Sequence, residues 1–151
     1  MKISCPVDPM LCALDAASQA GEKGDVPVGA VIVKDGEIIA TASNRVERDT
    51  DPTAHAELLV IRQASKILED VRLVDCDLYV TLEPCAMCAQ ALAHARIRRL
   101  YFGAYDPKGG GVEHGAKIFE RSTCHHKPEV YGGIAEEKCT SLLKSFFQKL
   151  R

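Results

Sequence analysis

Thr81-Leu82-Glu83-Pro84-Cys85-Ala86-Met87-Cys88 places two cysteines three apart, directly behind a proline. Leu78 to Leu82 reads as a short buried strand that delivers the chain to Pro84. Pro84 suits the first turn of a helix, where its missing N–H is not needed. That helix is expected to run through the alanines to about Ala95. Residues three apart share a helix face, so both sulfurs can point at one ion. The positive end of the helix favours thiolates there. Alone, C-x-x-C is also compatible with a redox pair, half of a zinc ribbon, or chance.

Upstream, His55-Ala56-Glu57 adds a third candidate ligand. His55, Cys85 and Cys88 together suit zinc, since two thiolates and an imidazole match a +2 ion. A structural site usually closes with a fourth protein ligand, whereas a catalytic site leaves that position to water. No second C-x-x-C or H-x-x-x-H is present to close this one. Glu57, two residues after His55, would lie roughly 200° away on an ideal helix, so both cannot ligate one ion from a regular helix face. At a helix start, one of them can bind metal while the longer glutamate reaches the reacting water as a general acid/base. A surface carboxylate, or one that merely orients His55, is the plainer alternative for Glu57.

The combined H-x-E…P-C-x-x-C pattern resembles the cytidine/deoxycytidylate deaminase superfamily. The resemblance runs through nearly the whole chain. It includes Pro27-Val28-Gly29-Ala30-Val31, Asn44-Arg45, Asp51-Pro52-Thr53-Ala54-His55-Ala56-Glu57 and Phe102-Gly103-Ala104-Tyr105-Asp106-Pro107-Lys108, in the order found in bacterial tRNA-specific adenosine deaminases. It implies one zinc per subunit on His55, Cys85 and Cys88, with Glu57 as the catalytic proton shuttle. It also implies a substrate pocket drawing on Asn44, Val28, Ala56 and Asp106, a homodimer sharing one RNA surface, and conversion of adenosine to inosine at the wobble position of a tRNA anticodon. The nearest enzymatic alternative is a guanine, cytosine or free-nucleoside deaminase of the same fold. From another class, a catalytically silent, zinc-stabilised RNA-binding module would need no Glu57.

The remaining chain is ordinary soluble protein. At 151 residues, 46% apolar and 26% charged, it is expected to form a single domain over residues 1–151. No apolar run approaches the roughly 20 residues of a membrane span, and no signal-like core opens the chain. Seven cysteines without such a signal point to a reducing cytoplasm. Cys5, Cys12, Cys76 and Cys139 read as small buried apolar residues. The net charge of −2 divides unevenly. Residues 1–75 hold 8 Lys/Arg and 13 Asp/Glu, and residues 76–151 hold 11 and 8. From these counts the C-terminal half is expected either to meet phosphates or to carry scattered surface charge. The resemblance, which implies that the closing helix lies near RNA, adds Lys144, Lys149 and Arg151 as candidate contacts.

Periodicity predicts a helix over Asp8–Ala20 with Asp8 as cap, ended by Gly21 and Gly24. It predicts a hairpin of Val26–Val33 and Glu37–Ser43 about Asp35-Gly36, and a helix from a Thr53 cap to about Leu68. Further on come a strand over Ile97–Phe102, a flexible loop at Gly109-Gly110-Gly111, a helical turn near Ala116–Glu120, a last strand at Glu129–Tyr131 and a closing helix over Ile134–Leu150. The order implies a three-layer α/β/α domain around a mixed sheet of about five strands. Glu83 reads as structural. Cys124-His125-His126 has the composition of a second metal cluster but no fourth ligand nearby, and reads better as a polar loop.

Overall fold

The computed structural model describes residues 8–150. The first helix, α1 (Pro9–Glu22), starts where Asp8 accepts a hydrogen bond from the Met10 N–H at 2.8 Å, with Pro9 at its first position. Two strands follow, β1 (Gly29–Lys34) and β2 (Glu37–Ser43). Asp35 and Gly36 join them with φ of 52° and 76°, the paired positive angles of a type I′ hairpin turn. Next come α2 (Ala56–Leu68), β3 (Cys76–Leu82), α3 (Ala86–His94) and β4 (Arg99–Ala104). A 3-10 turn at Ile118–Glu120, the short β5 (Glu129–Tyr131) and α4 (Glu136–Lys149) complete the described chain.

The five strands form one sheet in the order β2-β1-β3-β4-β5. The β1–β2 and β1–β3 pairs are antiparallel, and the β3–β4 and β4–β5 pairs are parallel. The parallel pairing of β3 and β4 requires a crossover, which α3 supplies. Successive strand residues face opposite ways, so the sheet sorts its side chains into two cores. Ala30, Ile32, Leu78, Val80, Leu100 and Phe102 pack on one side with Val60 and Ala64 of α2 and Leu92 of α3. Val31, Tyr79 and Tyr101 pack on the other side with Met10 and Ala13 of α1 and Cys139 of α4. Helices therefore cover both faces, as the expected three-layer architecture requires. Gly29 lets α1 lie directly on β1, because a Cβ there would sit 2.1 Å from the Ala13 carbonyl oxygen. Tyr79, Tyr101 and Tyr131 lie side by side in register on β3, β4 and β5. Their rings stack at centroid spacings of 4.3 and 5.1 Å.

Several local expectations are corrected. Gly21 lies inside α1, and Lys23 caps its end. The cap of α2 is His55, not Thr53. Thr53 instead closes a small turn on Asp51, through its N–H and its hydroxyl. Pro84 precedes the helix cap, which is Cys85 itself. The expected apolar face of α4 is only partly covered: Cys139 is buried, Leu142, Leu143 and Phe146 are half-buried, and Phe147 and Leu150 are exposed. Cys76 and Cys139 are buried free thiols as expected, whereas Cys12 is half-buried and disulfide-bonded. Cys5 and Arg151 lie outside the described residues. No helix among the described residues is long and apolar enough to cross a membrane.

Candidate active site

Two helix N-termini converge on one point. His55 caps α2 with extended backbone (φ −74°, ψ 148°), and Cys85 caps α3 in the same way (φ −71°, ψ 174°). An extended cap swings its side chain off the helical screw, which removes the 200° separation expected of His55 and Glu57. Glu57 is the second residue of α2 and is buried. Cys88 comes round one turn into α3 and is fully buried. Because α3 follows β3, the cluster sits at the carboxyl end of β3, where α/β sheets commonly bind ligands.

The donor atoms fit a metal. Cys85 Sγ and Cys88 Sγ lie 3.7 and 3.4 Å from His55 Nδ1. Tetrahedral zinc bonds of about 2.3 Å to sulfur and 2.0–2.1 Å to nitrogen put such donors about 3.6 Å apart. Among the described residues, His55, Cys85 and Cys88 form the only group of three or more His, Cys, Asp or Glu side chains gathered closely enough to hold an ion. Hydrogen bonding with Cys88, helped by His55, brings the Cys85 thiol down to about 4, against the pull of burial. The contact with Cys85, then burial, pushes the Cys88 thiol far up. Burial raises the Glu57 carboxyl to about 7.

In front of the cluster lies a cavity of about 410 Å³. Its walls include every residue the sequence nominated for substrate binding: Val28, Asn44, Ala56 and Asp106, beside His55, Glu57 and Cys85. Their present bonds are structural. Asn44 donates its amide N–H to the Val26 carbonyl at 3.2 Å and accepts from the Val46 N–H at 3.1 Å. Asp106 accepts from the N–H groups of Lys108 and Gly109 at 3.2 and 2.9 Å. Each thus shapes a loop while facing the cavity.

Glu83 is structural, as expected, and it reaches across the fold. Its buried carboxylate accepts hydrogen bonds from the backbone N–H groups of Asp106, Val112, Glu113 and His114, and pairs with His114 Nδ1 at 2.8 Å. Burial raises its pKa, but the Asp106, His114, Glu113 and Val112 bonds outweigh that and hold it below the ordinary value. One side chain therefore ties the 106–114 loop to the root of α3. Gly109-Gly110-Gly111 is part of this packing and not a free hinge. A Cβ on Gly110 would meet the Glu83 carboxylate at 2.5 Å, and one on Gly111 would meet the Ala86 nitrogen at 2.4 Å. Cys124-His125-His126 gathers no metal site. Cys124 donates to the His126 carbonyl, and His126 Nε2 donates to the Ile97 carbonyl at 2.7 Å.

A family model described as the cytidine and deoxycytidylate deaminase zinc-binding region matches residues 6–104. The chain is 54% identical over 142 residues to a tRNA-specific adenosine deaminase of Agrobacterium fabrum, covering 94% of this chain and 93% of that protein. It is 55% identical, with a TM-score of 0.88, to a solved structure from work on A-to-I editing by tRNA:A34 deaminases at the wobble position of transfer RNA. That match covers 89% of this chain and 98% of the other. A guanine deaminase from Nitrosomonas europaea, 21% identical over 97% of this chain and 86% of its own with a TM-score of 0.81, shares the fold. Motif, fold and similarity agree: the chain belongs to the cytidine and deoxycytidylate deaminase family, in its group of tRNA-specific adenosine deaminases.

Proposed function

We propose that this protein is a hydrolase that converts adenosine to inosine at the wobble position of a tRNA anticodon. The observation that carries this reading is the pairing of a three-donor cluster with a buried carboxylate outside it, Glu57, on the wall of one cavity. A structural zinc site has no use for that carboxylate. The 54% identity with a tRNA-specific adenosine deaminase supports the substrate over a free base. His55, Cys85 and Cys88 would hold one zinc ion per subunit, which supplies the electrophilic activation of a water molecule at the cavity floor.

The chain's own groups do the rest. Glu57 takes a proton from the water and delivers it to N1 of the purine as the oxygen bonds to C6. It then takes the proton of the new C6 hydroxyl and passes it to the C6 amine, the C6–N bond breaks as the C6 carbonyl forms, and ammonia leaves. Val28 on the cavity wall gives the base an apolar surface. Asn44 keeps one amide N–H and one carbonyl lone pair beyond its two backbone bonds, enough to meet a purine edge. The N–H of Ala56, in the first turn of α2 where backbone donors lack an intrahelical acceptor, would donate to the reacting centre. Asp106 holds the rim of the cavity. An anticodon loop presents its bases unpaired, which lowers the cost of inserting one. The family resemblance supports a single catalytic domain, a homodimer and a cytoplasmic setting.

Inosine formation on a synthetic anticodon stem-loop, compared with free adenosine, guanine and cytosine, tests the assignment. The stem-loop is expected to be turned over far faster. Faster turnover of free guanine or cytosine would replace it with a free-base deaminase.

A further inference from the structure

The residues that were expected to meet phosphates lie in the C-terminal half, yet a groove with five cations on its walls is built from the acidic N-terminal half. A groove of about 460 Å³ runs along the outer strand β2, between α1 and α2. Lys23, Arg45, Arg48, Arg62 and Lys66 line it, the hydroxyls of Thr41 and Ser43 lie along its floor, and no carboxylate is among its walls. Arg45 and Arg48 are held in place. Arg45 Nε donates to both Asp49 oxygens at 3.0 Å, and Arg48 pairs with buried Asp25 and donates to the Asn44 carbonyl at 2.9 Å. Lys23, Arg62 and Lys66 are exposed and make no ion pair among the described residues. Arg62 and Lys66 stand four apart on α2, where like charges repel. Folding alone gains nothing from that arrangement, whereas an anion lying between them would relieve it.

The groove and the active-site cavity share a wall. Along the segment 43–48, Ser43, Arg45 and Arg48 face the groove, while Asn44, Val46 and Glu47 face the cavity. One thickness of backbone separates the two, and Asp25 pins it through the Glu47 N–H and Arg48. A polynucleotide that inserts one base into the cavity must carry its flanking phosphates over the rim. On this side the rim leads into a channel of positive charge and hydroxyl donors.

We infer that the β2-edge groove is a phosphate track for the RNA flanking the deaminated base, with Lys23, Arg62 and Lys66 as its movable contacts. This deepens the function proposed above and rests on it for the choice of RNA as occupant. Phosphate contacts of this kind position the substrate and weaken with salt.

The test uses the zinc-loaded enzyme and two readouts. Binding of a fluorescently labelled RNA hairpin with adenosine in its loop is followed by anisotropy across a salt series, and inosine formation is measured separately. Arg62→Glu/Lys66→Glu is expected to weaken binding about tenfold or more, and to flatten the slope of log affinity against log salt by about 0.7 per lost contact. KM for the hairpin should rise in step, with kcat and zinc content unchanged. Arg62→Gln/Lys66→Gln, which removes charge without adding any, should show the same effect at smaller size and covers the case in which the reversal misfolds. Unchanged affinity and salt slope in the folded neutral variant would overturn the groove. If the wild-type enzyme binds the hairpin in this groove-dependent way but forms no inosine, the phosphate track stands and the adenosine assignment falls.

Discussion

Two buried glutamates flank the same cavity, and they are built for opposite ends. Glu83 is surrounded: four backbone N–H groups and a histidine nitrogen converge on its two oxygens, and its charge is fixed. Glu57 is also buried, but its hydrogen-bond partners are only its own backbone N–H and Cys88, and burial lifts its pKa to about 7 against the nearby His55. A carboxylate holding five hydrogen bonds is a poor proton carrier, because each transfer would break them. A carboxylate with few partners changes charge at little cost. The same side chain is thus a rivet in one place and suited to the proposed shuttle in the other, and the difference lies in the number of donors aimed at it.

The contrast can be broken at either end. Glu57→Gln should cut kcat by about 10²–10⁴-fold while leaving zinc content and thermal midpoint close to wild type. Near-normal turnover in that folded variant would remove Glu57 from the mechanism. Glu83→Ala should act mainly on folding, because five donors lose their acceptor. A loss of about 3–5 kcal/mol is expected, seen as a thermal midpoint lower by roughly 10 °C. An unchanged midpoint with lost activity would make Glu83 a second shuttle. Gly110→Ala probes the same rivet from the opposite side, since its Cβ would press on the Glu83 carboxylate. It should cost about 1–3 kcal/mol, and the 106–114 backbone amides should exchange faster with deuterium.

Asp25 sharpens the comparison with the smallest effect. Burial raises its pKa, but Arg48, the Glu47 N–H and the Arg48 charge together carry it below the ordinary value, as the donors of Glu83 do. A group lower in the folded than in the unfolded chain stabilises above the unfolded value of about 3.9, and that stabilisation is lost as pH falls through the folded value. Thermal midpoints measured below about pH 4 should therefore fall less steeply in Asp25→Asn than in the wild type. Parallel acid limbs would show that Asp25 is not ionised in the fold.

Much of this was written locally. Asp35-Gly36, the Asp8 cap and the spacing of His55, Glu57, Cys85 and Cys88 are signals a few residues long, and each folds as its neighbours dictate. What escaped the sequence is non-local. Glu83 meets its donors 23 to 31 residues away, so its burial depends on where the 106–114 loop returns. His55 as a helix cap was hidden because histidine is a weak capping residue, and its side chain makes no capping hydrogen bond. The basic groove was hidden by averaging: the half of the chain with the acid excess brings Lys23, Arg45, Arg48, Arg62 and Lys66 to one groove, and only Arg45 and Arg48 of these pair with a carboxylate among the described residues.

The tyrosine stack across β3, β4 and β5 gives the protein an optical signature of its own. There is no tryptophan, and three of the four tyrosines belong to that stack. Near-ultraviolet circular dichroism should therefore be dominated by coupled phenol transitions, and should vanish when specific packing is lost even if helical signal persists. Tyr131→Phe alters the chromophore at the outer strand without emptying its place. The solution spectrum then reports the docking of β5, the shortest strand of the sheet, independently of metal, RNA or turnover.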